Sequence, residues 1–73
     1  MTEKLPILSG KVVVKALGKL GYTVSDQKGS HIHLRHPVRR PLTVPNHPEV
    51  ARGTLRFIIR DADLTVEKFL ELL

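Results

Sequence analysis

The sequence predicts a small α+β domain: a helix, then a three-stranded antiparallel sheet, then one or two helices. Three observations carry this. Apolar residues recur with the helical period between residues 10 and 20. Three short runs between residues 22 and 45 alternate with period two. The helical period returns after residue 52. Those two periods separate a helix stripe from a half-buried strand.

The elements follow in order. Ser9 is a good N-cap, with Leu8 before it placed to staple onto Val13. Val13, Ala16, Leu17 and Leu20 form one apolar helical face, and Gly21 is expected to end the helix. Lys11, Lys15 and Lys19 lie four apart, away from that face. The pairs Tyr22/Val24, Ile32/Leu34 and Leu42/Val44 each share the parity of one strand face. Lys28-Gly29-Ser30 reads as the first turn between strands and Pro37–Pro41, with Arg39 and Arg40, as a second, exposed turn. Pro45-Asn46-His47-Pro48 stops the third strand, because proline cannot donate to a ladder. Leu55, Ile58, Ile59 and Ala62 then make an apolar stripe beside a basic row of Arg52, Arg56 and Arg60. Phe57 lies off that stripe and is expected under the last helix. Thr65 caps that helix, with Leu64 as staple and Val66, Phe69, Leu70 and Leu73 along one face. A sheet covered by helices on one face and wet on the other is the architecture of double-stranded RNA-binding domains.

With 73 residues the chain is expected to be a single domain over 1–73, with no room for a separate cofactor-binding domain. There is no cysteine, which excludes a disulfide scaffold, a thiolate nucleophile and a cysteine zinc site. The segment MTEKLPILSG has no long apolar run, and no stretch is long enough to span a membrane. The expectation is a cytoplasmic protein without cofactor. The net charge of +5 is uneven: residues 1–60 hold eleven of the twelve Lys and Arg against three acids, and residues 61–73 hold Lys68 against four. A basic body suggests a polyanionic partner, although basic surfaces also serve solubility alone.

The run His31-Ile32-His33-Leu34-Arg35-His36 bears most on chemistry. If Ile32 and Leu34 face the core, His31, His33 and Arg35 face away from it together. His31 then opens a strand just after the Lys28-Gly29-Ser30 turn. That set suits RNA cleavage, since the 2′-hydroxyl of RNA is an internal nucleophile and needs only proton transfer and charge stabilisation. An imidazole suits the proton transfer, with Lys28, Arg35 and the N–H groups of Gly29 and Ser30 as charge stabilisers. Two blander readings stand beside it. His-x-His on a strand is commonly just solvated, and with His36 or His47 it could hold zinc. No carboxylate completes such a metal set, because Asp26 is expected on the other side of the turn and Glu49 follows Pro48.

Taken in order, Gly21-Tyr22, Lys28-Gly29-Ser30-His31, Val44-Pro45-x-His47, Gly53-Thr54-Leu55-Arg56-x-Ile58 and Asp61-Ala62-x-Leu64-Thr65 resemble the HicA-type toxins, small mRNA interferases of toxin–antitoxin pairs. The likeness spans nearly the whole chain. It implies a double-stranded-RNA-binding-like fold, His31 as the catalytic histidine, cleavage of mRNA, and neutralisation by a HicB-type antitoxin. Phe57 and the paired arginines of the Pro37–Pro41 turn depart from the pattern. The two basic rows would hold RNA phosphates. The rival functions are a non-catalytic RNA-binding module and a protein-interaction domain with a basic face.

Overall fold

The computed structural model describes residues 5–73. Residues 1–4, the start of the expected domain and of the MTEKLPILSG segment, lie outside the described residues. The elements are α1 (Gly10–Lys19), β1 (Thr23–Lys28), β2 (His31–Arg35), β3 (Leu42–Pro45), α2 (Arg52–Asp61) and α3 (Val66–Glu71). The sheet is antiparallel in the order β1-β2-β3, so the α+β class and element order agree with the sequence pattern.

The caps form where their chemistry predicts. The Ser9 hydroxyl accepts from the Val12 N–H, and the Thr65 hydroxyl from the Lys68 N–H. At the end of α1, Gly21 takes φ 110°, donating to the Gly18 carbonyl while Tyr22 donates to Leu17. This pair of bonds is the Schellman closure, which favours glycine at the left-handed position. The end of α2 repeats it with Asp63 at φ 60° and bonds from Asp63 to Arg60 and from Leu64 to Ile59.

One side of the sheet carries the core. Ile32 and Leu34 of β2 and Leu42 and Val44 of β3 are buried with Val13, Ala16 and Leu17 of α1, Leu55, Ile58 and Ile59 of α2, and Phe69 of α3. The other side of the sheet is open. Along β2 the alternation is strict: His31 and Arg35 are exposed and His33 half-buried, while the residues between them are buried.

Strand β1 departs from the expected pattern. Tyr22 is buried but precedes the strand, and Val24, expected to share its face, is 54% exposed. No residue of β1 is buried. Val24 does sit opposite buried Leu34, but β1 is an edge strand, and the apolar layer does not reach beneath it. The register of β1 also slips between Val24 and Asp26: Val24 faces Leu34, and Asp26, not Ser25, faces His33. An extra residue of this kind is a β-bulge, which reverses the face of every residue after it. Asp26 and Lys28 thereby move to the open face, and Gln27 takes the place opposite Ile32.

The helix layer meets the end of the sheet at Gly10. A Cβ on this residue would overlap the Pro45 carbonyl oxygen and stand 2.9 Å from the Asn46 Cα. Gly10 also donates to the His47 carbonyl at 2.9 Å. Gly18, near the other end of the helix, has open space where a Cβ would go. Gly10→Ala should therefore lower stability by roughly 3 kcal/mol through steric overpacking. Gly18→Ala should raise it by about 0.5–1 kcal/mol, because alanine has less conformational freedom to lose. Urea unfolding of both variants checks the contrast, and equal midpoints would refute the close approach.

Candidate active site

The bulge and the alternation of β2 set three rows of side chains on the open face. His31, His33 and Arg35 form the middle row. Lys28 lies opposite His31, and Asp26 opposite His33. On the far side Pro45 is paired with His31 and Thr43 with His33.

His31 begins β2 after a two-residue turn, with Gly29 at φ 57°. A glycine at the first turn position is what a type II′ hairpin requires. Three bonded segments converge at this end of the sheet. Asn46 N–H donates to the Ser30 carbonyl at 2.6 Å, and Gly10 N–H to His47. Lys11 shares a cleft of about 350 Å³ with Ser9, Asn46, His47 and Pro48. His31, Lys28, Ser30 and Lys11 therefore belong to one end of the molecule. Arg35 does not join them. Four residues along a strand carry it about 13 Å from His31, and its neighbour on that face is His33.

His33 differs from the sequence expectation. Its Nδ1 is 2.6 Å from Asp26 Oδ1. Strand parity places Asp26 across the turn and out of reach; the bulge brings it onto the same face. Both side chains are more than one-third exposed, so the pair contributes at most about 1 kcal/mol to stability. With Ser25, Arg35 and Thr43 they line an open cleft of about 470 Å³. The bulge residue Ser25 is itself held by a bond from its hydroxyl to the His33 carbonyl.

His36 is built into the scaffold. Its Nδ1 accepts from the backbone N–H groups of Val38 and Arg39, so the ring proton is on Nε2, which donates to the Leu20 carbonyl. The ring also stacks at a tilt on Tyr22, with centroids 4.8 Å apart. Tyr22 donates to the Arg40 carbonyl, and Arg39 to the Ala62 carbonyl at the end of α2. Burial raises the Tyr22 phenol above its usual range, against the Arg39 charge, with Asp61 adding to the rise. Two rings and one arginine thus fasten the Pro37–Pro41 turn to the C-terminal ends of α1 and α2. Among the described residues no three His, Asp or Glu side chains gather at metal-binding spacing.

The helix cations are not equivalent. Lys11, Lys15 and Lys19 are exposed along α1. Arg52 donates from Nε to the Leu5 carbonyl and so anchors the segment before α1. Arg60 lies 6.0 Å from the centre of the Phe57 ring. Phe57, expected under the last helix, is 57% exposed instead, because its position on α2 is off the buried stripe.

Residues 10–64 match the family described as HicA toxin of bacterial toxin-antitoxin systems. The chain belongs to the HicA toxin family. A solved structure described as a toxin–antitoxin complex from Streptococcus pneumoniae is 34% identical in sequence, with a TM-score of 0.70. That match covers 78% of this chain and 98% of the other. No curated protein matches. The family match takes in His31 and its turn, the bulged β1, and the loop that carries His47. The Asp26–His33 pair escapes a reading of the sequence because period-two alternation alone puts Asp26 on the wrong face.

The scaffold role of His36 predicts a clean dissection. His36→Ala should lower stability by about 2 kcal/mol, since it strands two backbone donors and an acceptor, and the Arg39 and Leu20 groups among them are part-buried. Unfolding in urea measures this, and an unchanged midpoint would show that the three bonds contribute nothing.

Proposed function

We propose that this HicA toxin is a metal-independent endoribonuclease that cuts mRNA and thereby halts translation until a HicB-type antitoxin binds it. In the reaction the substrate's 2′-oxygen bonds to phosphorus as its proton leaves. The bond from phosphorus to the 5′-oxygen breaks, and that oxygen gains a proton. The products are a 2′,3′-cyclic phosphate and a 5′-hydroxyl. His31 is the proton-transfer residue. The observation that carries this reading is its placement: an exposed imidazole at a hairpin turn, opposite Lys28, beside the end of the sheet where α1 begins.

The electrostatics support it. The N-terminal end of a helix carries partial positive charge, and the first turn of α1 has no acidic residue but does have Lys11. Lys28 adds a second cation across the strand from His31. A phosphodiester would meet charge stabilisation there from Lys28, Lys11 and the Gly29–Ser30 turn. Arg35 would act farther along the strand. Lys15, Lys19, Arg56 and Arg60 would hold neighbouring phosphates, and Arg52 would do so through its Nη groups. The toxin–antitoxin assembly of the Streptococcus pneumoniae relative supports an antitoxin partner for this chain too. Covering His31 is the direct way for such a partner to neutralise it.

His31→Ala should reduce cleavage by roughly 10²–10⁴-fold, the usual contribution of a proton-transfer group. As an outward-facing change it should cost under about 1 kcal/mol of stability. EDTA should leave the wild-type rate unchanged, and the fragments should end in cyclic phosphate and 5′-hydroxyl. Cleavage by His31→Ala at the wild-type rate, or 5′-phosphate ends from a metal-activated water, would overturn the mechanism. An RNA that binds but is never cut would favour the non-catalytic module.

A second test addresses the helix row. Lys11, Lys15 and Lys19 together changed to Glu should weaken RNA binding and flatten its salt dependence by about 0.7–0.9 for each phosphate no longer neutralised. Binding and salt slope equal to wild type would make this row a solvated face only.

A further inference from the structure

We infer that His33, positioned by Asp26, is the second proton-transfer group of the same reaction, giving the proton to the leaving 5′-oxygen while His31 takes one from the 2′-hydroxyl. This rests on the endoribonuclease reading above. Cleavage of this kind needs a group on each side of the phosphorus, and one imidazole facing one oxygen supplies only half.

The geometry points to His33 on three grounds. It is on the same open face as His31, two residues along one strand. That spacing is about 7 Å between Cα atoms, so the two rings can attend the two ends of one phosphodiester. Its ring is oriented: with Nδ1 held 2.6 Å from the Asp26 carboxylate, Nε2 is the nitrogen left for substrate. A carboxylate on one ring nitrogen fixes the tautomer and compensates the charge of an imidazolium, the form that donates. Finally, His33 lines a cleft large enough for a nucleotide portion, with Arg35 in its wall as a cation for the phosphate.

The bulge is the device that assembles this pair. With regular pairing Ser25 would face His33, and Asp26 would share the side of Ile32 and the core. One inserted residue re-aims Asp26 at the imidazole, a use of bulges found beside active sites. Ser25 then bonds the His33 carbonyl and fixes the irregular segment.

The experiment compares two RNA oligonucleotides under single-turnover conditions: an ordinary substrate, and one whose scissile 5′-oxygen is replaced by sulfur, a leaving group that needs no proton. His33→Ala should cut the ordinary RNA at least about 10²-fold more slowly than wild type and the sulfur-substituted RNA at nearly the wild-type rate. Its pH–rate profile should lose the descending high-pH limb, which in the wild type reports the loss of the donor's proton. Asp26→Asn should show the same rescue with a smaller defect, as a positioning residue would. His31→Ala should stay slow on both substrates. Binding of an RNA with deoxyribose at the cleavage site should be unchanged in His33→Ala.

A His33→Ala enzyme slowed equally on both RNAs, as loss of a merely structural pair would produce, overturns the inference. So does one that cuts ordinary RNA at the wild-type rate. In both cases a slow His31→Ala would leave the nuclease reading standing. A wild-type protein that cuts neither RNA overturns that reading and this inference with it.

Discussion

The close approach of Gly10 to the Pro45–Asn46 backbone is the constraint on which the rest of the molecule depends. It is a junction of main chains, with no room for a side chain. From it α1 runs across the core face of the sheet, and Val13, Ala16 and Leu17 are delivered to the buried layer. On the other side of the junction β3 ends at Pro45, whose neighbour Asn46 bonds to Ser30 in the β1–β2 turn. A helix start, a strand end and a hairpin turn are therefore fixed to one another by backbone alone. His31 follows Ser30 directly. The position of the imidazole thus depends on rigid main-chain bonds rather than on a mobile loop, as the proposed handling of a reacting phosphate requires.

Most of this is legible in the residues. The stripe of α1, the caps at Ser9 and Thr65, the glycine stop at Gly21 and the alternation of β2 and β3 are local signals, and local signals suffice where each residue's neighbours along the chain decide its state. The face of His31 follows from the same alternation. What is not legible has a common physical cause. The exposure of Val24 depends on how far the helices reach across the sheet, and the pairing of Asp26 with His33 depends on a bulge. The exposure of Phe57 depends on how α3 lies over α2. None of these is written in a window of neighbouring residues. The anchoring of Arg52 on the Leu5 carbonyl spans 47 positions and is invisible in a row of arginines four apart. As a row, the three arginines look alike; in space one is a strut and one lies against an aromatic ring.

The four histidines show how one residue type is separated by environment. His36 has both ring nitrogens engaged by backbone and a ring neighbour, so it is a structural piece with no nitrogen free for substrate. His33 has one nitrogen engaged by a carboxylate and one left over. His31 is exposed on the open face at the turn, and His47 is exposed on the loop that caps the same end. Counting histidines in the sequence leaves proton transfer, plain solvation and zinc binding side by side as readings. Counting their engaged nitrogens gives one scaffold residue and two groups on a shared face.

The division between the faces of β2 also explains how so small a domain could carry the proposed chemistry. A chain of this size has a modest core and little stability to spare. Buried polar groups would cost it heavily unless bonded, and among the described residues no polar or charged side chain is buried apart from Tyr22, whose hydroxyl is bonded to the Arg40 carbonyl. The alternate residues Ile32 and Leu34 supply cohesion, while His31, His33 and Arg35 stand on the other side and contribute almost none. Strand β1 goes further. It buries nothing, and its hydrogen bonds to β2 rather than any apolar packing keep it in place. Its bulge and its charged Asp26 and Lys28 also make a poor template for edge-to-edge pairing with another chain. An edge strand without a share in the core can carry a bulge, a carboxylate and a cation at positions dictated by the proposed site alone. The side chains that would touch substrate are thus free to vary without unfolding the domain, and the close approach at Gly10, which touches no substrate, is not.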